Sequence, residues 1–150
     1  MPQSLSNLLA HIVLSTKDRA PFFDASTRQE LNAYLATVAR NTECECFRVG
    51  GTADHVHLAI RLHRTIAPAK LVEEAKTASS KWLKAKWPGL SSFSWQRGYG
   101  AFSLGARELA PLLDYIADQE QHHKMLTFQN EYRAFLIENG IDFDERYVWD

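Results

Sequence analysis

The order of periodic segments in this chain predicts an α+β fold of the ferredoxin-like kind. This is a split βαβ pattern in which an antiparallel sheet carries helices on one face and further helices follow. Three observations lead there. Apolar strand-length runs begin at Leu8 and His55, and segments of helical period begin near Ser26 and Pro68. The turn Gly50, Gly51, Thr52, Ala53 joins two strand-like runs as a hairpin. A kinked strand-like stretch from Phe93 to Leu104 then closes the order strand, helix, strand, strand, helix, strand.

The first strand, Leu8 to Thr16, is apolar on both alternating faces except at His11, which suits a central strand. After the polar turn KDRAP, Ser26 and Gln29 form a potential capping box, and Leu31, Tyr34, Leu35 and Val38 recur at helical spacing until about Asn41. Cys44 to Val49 is the second strand. In the second helix Leu71, Ala75, Ala78 and Trp82 share a face, with Pro68 at its start and Trp87, Pro88 and Gly89 at its end. Its early acids and late lysines suit the helix dipole without any ligand. Lys76, Ser79, Ser80, Lys81 and Lys84 also present cations and hydroxyls able to contact phosphates, and the two readings stand side by side.

The third strand is the stretch around which the rest is organised. In DHVHLAIRLH, Val56, Leu58, Ile60 and Leu62 take one face, whereas His55, His57, Ala59, Arg61 and His63 take the other. Two imidazoles side by side on a rigid strand need only one or two further donors to hold a divalent metal. In the ferredoxin-like strand order this strand is central, so the histidine face must be covered or used.

Composition sets bounds on the rest. At 150 residues, 45% of them hydrophobic, the chain reads as one domain, 1–150, able to fold without staples. No apolar run approaches a membrane span, the N-terminal residues lack the regions of a signal peptide, and Cys44 and Cys46 are the only thiols. A cytoplasmic protein with reduced thiols is expected. The net charge of −1 provides no global cationic field, so a nucleic-acid partner would have to be held by a local basic patch.

A third helix runs through LAPLLDYIADQEQHH, with Leu109, Leu112, Leu113 and Ile116 as its expected buried stripe and Pro111 in its first turn. Tyr115 and Gln119 stand four apart and so share one side of it. The last helical segment holds Phe128, Tyr132, Phe135 and Leu136, has Gly140 as a C-cap, and is expected to pack rather than react.

Five segments together resemble the single-tyrosine HUH transposases of small bacterial insertion sequences, the IS200-like group. They are HIVLSTKDR, ADHVHL, WQRGYGAFS, YIADQEQHH and EYRAFLIENGIDFDERYVWD. Ala53 stands where that family usually has proline. The resemblance implies that Tyr115 is the nucleophile on a catalytic helix, and that His55, His57 and Gln119 hold a divalent metal, Mg2+ or Mn2+. It implies hairpin-containing single-stranded DNA as substrate, a 5′-phosphotyrosine intermediate, and a homodimer with composite active sites. Arg61, Lys76, Lys81 and Lys84 are the candidates for DNA contact. Tyrosine suits such chemistry, since a phenol of pKa about 10 leaves more readily than a sugar hydroxyl and keeps the bond energy for rejoining. A non-catalytic hairpin-binding protein on the same fold would have no use for the full His, His, Tyr, Gln set, and a metal hydrolase would leave free phosphate ends.

Overall fold

The computed structural model describes residues 2–150. Four antiparallel strands, β1 (Leu8–Ser15), β2 (Glu45–Gly51), β3 (His55–Leu62) and β4 (Gly100–Ser103), lie in the order β2-β3-β1-β4. The expected ferredoxin-like sheet is therefore present, with β3 and β1 central. Their register runs from Leu8 opposite Leu62 to Ser15 opposite His55. A bulge at Phe47 shifts β2 between Cys46 and Arg48.

Helices α1 (Ala25–Asn41) and α2 (Pro68–Lys86) cover one face. There Ile12, Leu14, Val56, Leu58 and Ile60 pack beneath Leu31, Leu35, Leu71 and Leu83, which gives the main apolar core. The α1 cap is Asp24, whose carboxylate accepts from the Thr27 amide at 2.9 Å, not a Ser26 and Gln29 box; Ser26 already lies in the first turn and bonds to Asp24. Cys44 and Cys46 are both free and buried in this core, and burial pushes the Cys46 thiol up to about 11.

The fourth strand is shorter than its pattern predicts. Only Gly100–Ser103 pairs with β1, and Trp95 makes one isolated bridge to Thr16. The intervening backbone is held by Lys76, whose ammonium donates to the carbonyls of Gln96, Arg97 and Gly98 at 2.6, 3.0 and 3.1 Å. Ser79 is fully buried, donates to Ala75 and accepts from the Trp95 indole at 3.0 Å.

The other face carries His11, Val13, His55, His57 and Phe102, and three C-terminal helices of the same chain cover it: α3 (Leu109–Ala117), α4 (Gln119–His122) and α5 (Phe128–Glu138). The sheet is thus sandwiched between two helical layers. α5 ends at Asn139, and Gly140 adopts φ 66°, as its expected capping role requires. Of the α3 stripe only Ile116 is buried; Leu109, Leu112 and Leu113 are half-buried, because α3 sits over the β2 edge. Among the described residues no helix is long and apolar enough to cross a membrane.

α3 approaches β2 so closely that a Cβ on Gly50 would meet both the side chain and the carbonyl of Ile116 at 2.8 Å. Gly50 pairs with His57, so this contact sets how near the tyrosine helix sits to the histidines. Gly50→Ala should therefore lower stability by about 1–3 kcal/mol, as overpacking does, and should expose α3 to protease before the sheet. Unchanged denaturant midpoint and unchanged protection would show that α3 is held by other contacts.

Candidate active site

His55 and His57 alternate on β3, point to the same face, and are completely buried. Each is oriented by a second group. His55 Nδ1 lies 2.7 Å from the Asp54 carboxylate and 3.1 Å from the Thr52 hydroxyl. Burial opposes ionisation of Asp54, but its bond and charge interaction with His55 outweigh this and hold its pKa below the usual range. His57 Nδ1 lies 2.7 Å from His11 Nε2, and the two rings stack with centroids 5.0 Å apart. Burial lowers the pKa of both, His11 to about 3, so the pair is neutral at pH 7. The Nε2 atoms of His55 and His57 then face the space under the C-terminal helices.

Into that space α5 brings Glu131, which is 2% exposed. One carboxylate oxygen lies 3.0 Å from His57 Nε2, 3.2 Å from His123 Nε2 and 3.6 Å from His55 Nε2. The other accepts from the Tyr115 hydroxyl and, at 3.2 Å, from the Gln119 amide. Burial alone would raise the Glu131 pKa, but the surrounding imidazoles and the phenol drive it well below the carboxylate range. Tyr115 shifts the opposite way: burial and then the bond to Glu131 push its pKa well above 10. The phenol is therefore protonated at neutral pH.

Tyr115 and Gln119 do not lie on one continuous helix as their spacing predicts. Asp118, at φ −96° and ψ 15°, separates α3 from α4, and its amide bonds back to Asp114 and Tyr115. Both side chains still converge, since Gln119 Oε1 lies 2.9 Å from His55 Nε2 and the Tyr115 ring 5.9 Å from that of His57. Arg48 donates to the Leu113 carbonyl at 3.0 Å, and Arg28 pairs with Glu120 at 2.7 Å, so each helix is tied to the sandwich separately. The set is complete within one chain. A composite of two chains, which the family resemblance implies, is not needed to bring the tyrosine to the histidines.

The donor set fits a divalent cation. In the tautomer that donates Nδ1–H to Asp54, the Nε2 lone pair of His55 faces the carbonyl oxygen of Gln119 and the carboxylate of Glu131. Lone pairs facing one another at such distances need a proton or a cation between them. His55, His57 and Glu131 offer atoms all within 4.8 Å of one another. Two imidazoles, a carboxylate and an amide oxygen suit a metal of intermediate hardness with open positions.

The family model for IS200-like transposases matches residues 4–119. The chain belongs to that family. Two solved structures share its fold. One is a Deinococcus radiodurans R1 protein assigned as a transposase, 21% identical, with TM-score 0.61, covering 79% of this chain and 98% of that one. The other is a REP-associated tyrosine transposase bound to a REP hairpin, 15% identical, with TM-score 0.62, covering 96% and 90%. No curated protein matches the chain.

In this IS200-like transposase the structure brings Tyr115, His55, His57 and Gln119 together, and Glu131, His123, His11 and Asp54 join them. Glu131 lies in the segment expected only to pack. Its signal was available, because it stands three residues after Phe128 and one before Tyr132, an acid inside an apolar stripe. The His123 ring lies against His55 at 4.5 Å, and its Nε2 is 3.2 Å from the Glu131 carboxylate. His122 packs on the Tyr115 ring at 4.4 Å.

The four candidates for DNA contact lie elsewhere. Arg61 is at the far end of β3, bonded to Asn7 at 2.9 Å and paired with Glu45. Lys76 is engaged by three carbonyls, and burial lowers its pKa to about 8. Lys81 and Lys84 are exposed on α2, across the sheet from Tyr115.

The neutral His11 gives the metal-free protein an acid sensitivity. Its folded pKa lies below the unfolded value of 6.5, so its stabilising contribution is complete above pH 6.5 and is lost as pH falls toward 3. At pH 5 the loss from this group is about 2 kcal/mol. In chelator, His11→Phe should flatten the fall in denaturant midpoint between pH 7 and pH 5. An equally steep fall would place the sensitivity in other groups.

Proposed function

We propose that this transposase cuts and rejoins hairpin-containing single-stranded DNA through a 5′-phosphotyrosine at Tyr115. The observation that carries the reading is the Glu131 carboxylate, which touches His57 with one oxygen and the Tyr115 hydroxyl with the other. Nucleophile and candidate metal donors are thereby fixed in one buried cluster. Family membership supports a transposition enzyme, and the relative bound to a REP hairpin supports the substrate class.

In the proposed step the Tyr115 oxygen bonds to phosphorus, the bond from phosphorus to the 3′-oxygen breaks, and the phenolic proton passes to the Glu131 carboxylate. The freed 3′-oxygen takes up a proton, and the 5′-phosphate remains on Tyr115 until a new 3′-hydroxyl reverses the reaction. His55, His57, Gln119 and Glu131 would hold Mg2+ or Mn2+, which supplies positive charge to the phosphate oxygens as their charge grows. Asp54 and His11 keep each imidazole turned with Nε2 toward the phosphate. The aromatic packing of His122 and Phe135 against Tyr115 limits where its oxygen can point.

On a denaturing gel, labelled hairpin DNA with Mg2+ or Mn2+ should yield a covalent protein–DNA band that Tyr115→Phe abolishes. Free phosphate ends without that band would instead establish a hydrolase. Glu131→Gln keeps the shape of the side chain but should slow adduct formation by about 10²–10⁴-fold, and an unchanged rate would remove Glu131 from the chemistry.

The tyrosine acts on the histidines of its own chain in this reading. Tyr115→Phe and His57→Ala proteins, mixed and shown by two tags to exchange any subunits, should then stay inactive. Recovery of cleavage would establish sites shared between the chains of a homodimer.

A further inference from the structure

The proposed cleavage leaves one proton without a donor, the one that the freed 3′-oxygen takes up. Of the six histidines in the chain, five are already engaged. His55 and His57 are candidate metal donors, and His11 Nε2 lies 2.7 Å from His57. His123 Nε2 lies 3.2 Å from the Glu131 carboxylate, and His63, just beyond the far end of β3, is 3.5 Å from Glu43. The side chain of His122 alone takes part in no hydrogen bond or ion pair among the described residues, and its ring nitrogens reach solvent.

The backbone brings this imidazole to the nucleophile. From Tyr115 to His122 a continuous helix would rise about 10 Å, too far for the two rings to touch. The break at Asp118 folds α4 back, and the ring centroids come to 4.4 Å with the planes tilted by 33°. The His122 amide donates to the Asp118 carbonyl at 3.1 Å, and its own carbonyl accepts from the Leu126 amide at 2.9 Å, which holds the residue in place. Tyr115 thus stands between two groups able to move a proton. Glu131 bonds its hydroxyl on the buried side, and His122 covers its ring on the open side. His55, His57, Gln119 and Glu131 are all buried, whereas Tyr115 and His122 are half-buried, so a phosphodiester arriving from solvent meets these two side chains first.

We infer that His122 is the catalytic acid and base for the 3′-oxygen of the DNA strand; this rests on the function proposed above. In-line attack sets the phenolic oxygen about 3–3.5 Å from phosphorus, with the leaving 3′-oxygen one bond length farther along the same line. A strand entering from the open side therefore keeps its 3′-oxygen outermost, on the side of His122 and away from Glu131. As the bond from phosphorus to the 3′-oxygen breaks, its electron pair stays on oxygen. The proton of the His122 imidazolium passes to that oxygen and leaves a neutral ring. In rejoining, the neutral ring takes the proton of the incoming 3′-hydroxyl while Glu131 returns its own to the phenol. Imidazole suits both directions because it gains and loses a proton near neutral pH. Glu131 thus serves the phenol and His122 the sugar.

The test uses the full chain with Mn2+ and two labelled hairpin strands, one natural and one with sulfur in place of the 3′-oxygen that leaves. A thiolate, whose thiol has a pKa of about 8.5, departs without taking up a proton. His122→Phe keeps a ring against Tyr115 and His122→Asn keeps a polar side chain, and at this half-buried position both should leave the melting temperature unchanged. On the natural strand both variants should form the phosphotyrosine adduct about 10²–10⁴-fold more slowly than the natural chain. On the sulfur strand they should match it. Adduct that the variants make from the sulfur strand, given a strand with a free 3′-hydroxyl, should rejoin more slowly by the same factor. Equal slowing on both strands at unchanged melting temperature would reduce His122 to packing, and unchanged rates on both would remove it from the reaction. Either result overturns the assignment while the adduct chemistry stands. If the natural chain forms no adduct with either strand, the proposed function fails and this inference with it.

Discussion

The buried carboxylate of Glu131 is the interaction on which the rest of this structure depends. Removing an ionised carboxylate from water costs several kcal/mol unless donors replace the lost hydration. Here donors or cationic rings arrive from every neighbouring element: His57 from β3, Tyr115 from α3, Gln119 from α4 and His123 from the segment after it. Withdrawing any one of these elements would take a partner away from that buried charge. The same arrangement makes the cluster chemically useful, since a group held this firmly needs little reorganisation when charge moves.

Two constraints from the sheet bring those donors within reach. The period of two along β3 puts both imidazoles on one face, and the antiparallel register with β1 puts His11 and Ser15 on that face as well. Gly50 then removes the side chain that would hold α3 away. The C-terminal helices add little apolar burial of their own around α3, where only Ile116 is buried. The position of α3 and α4 is therefore fixed largely by polar contacts, through Arg48, Arg28 and Glu131, whereas α5 is seated by Phe128, Tyr132 and Leu136 against Val13 and Phe102.

Much of this was legible in the sequence because it rests on local periodicity. The strand order, the hairpin, the facing of His55 and His57 and the Gly140 cap all follow from spacings of two, three or four residues. What was not legible depends on long-range placement. Nothing local says that Glu131 reaches a histidine 74 positions away in the chain, or that His11 orients His57 across 46. The break at Asp118 was hidden because YIADQEQHH has no glycine or proline to announce it. Lys76 looked like a free surface cation, and only the path of residues 96–98 shows what engages it. In two cases the pattern held a hint, since a lone His in an apolar strand and a lone Glu in an apolar stripe are both costly residues to bury without purpose.

The placement of the two cysteines has a practical side. Cys44 and Cys46 lie at 3% and 7% exposure, and Cys46 carries almost no thiolate at neutral pH. The natural chain thus presents no accessible nucleophilic sulfur to a maleimide or a spin-label reagent. A single cysteine introduced on the exposed side of α4 or beside Trp149 would be modified alone, without first stripping the core of its own thiols. Distances between such labels could then report how the C-terminal helices respond when a DNA strand is bound.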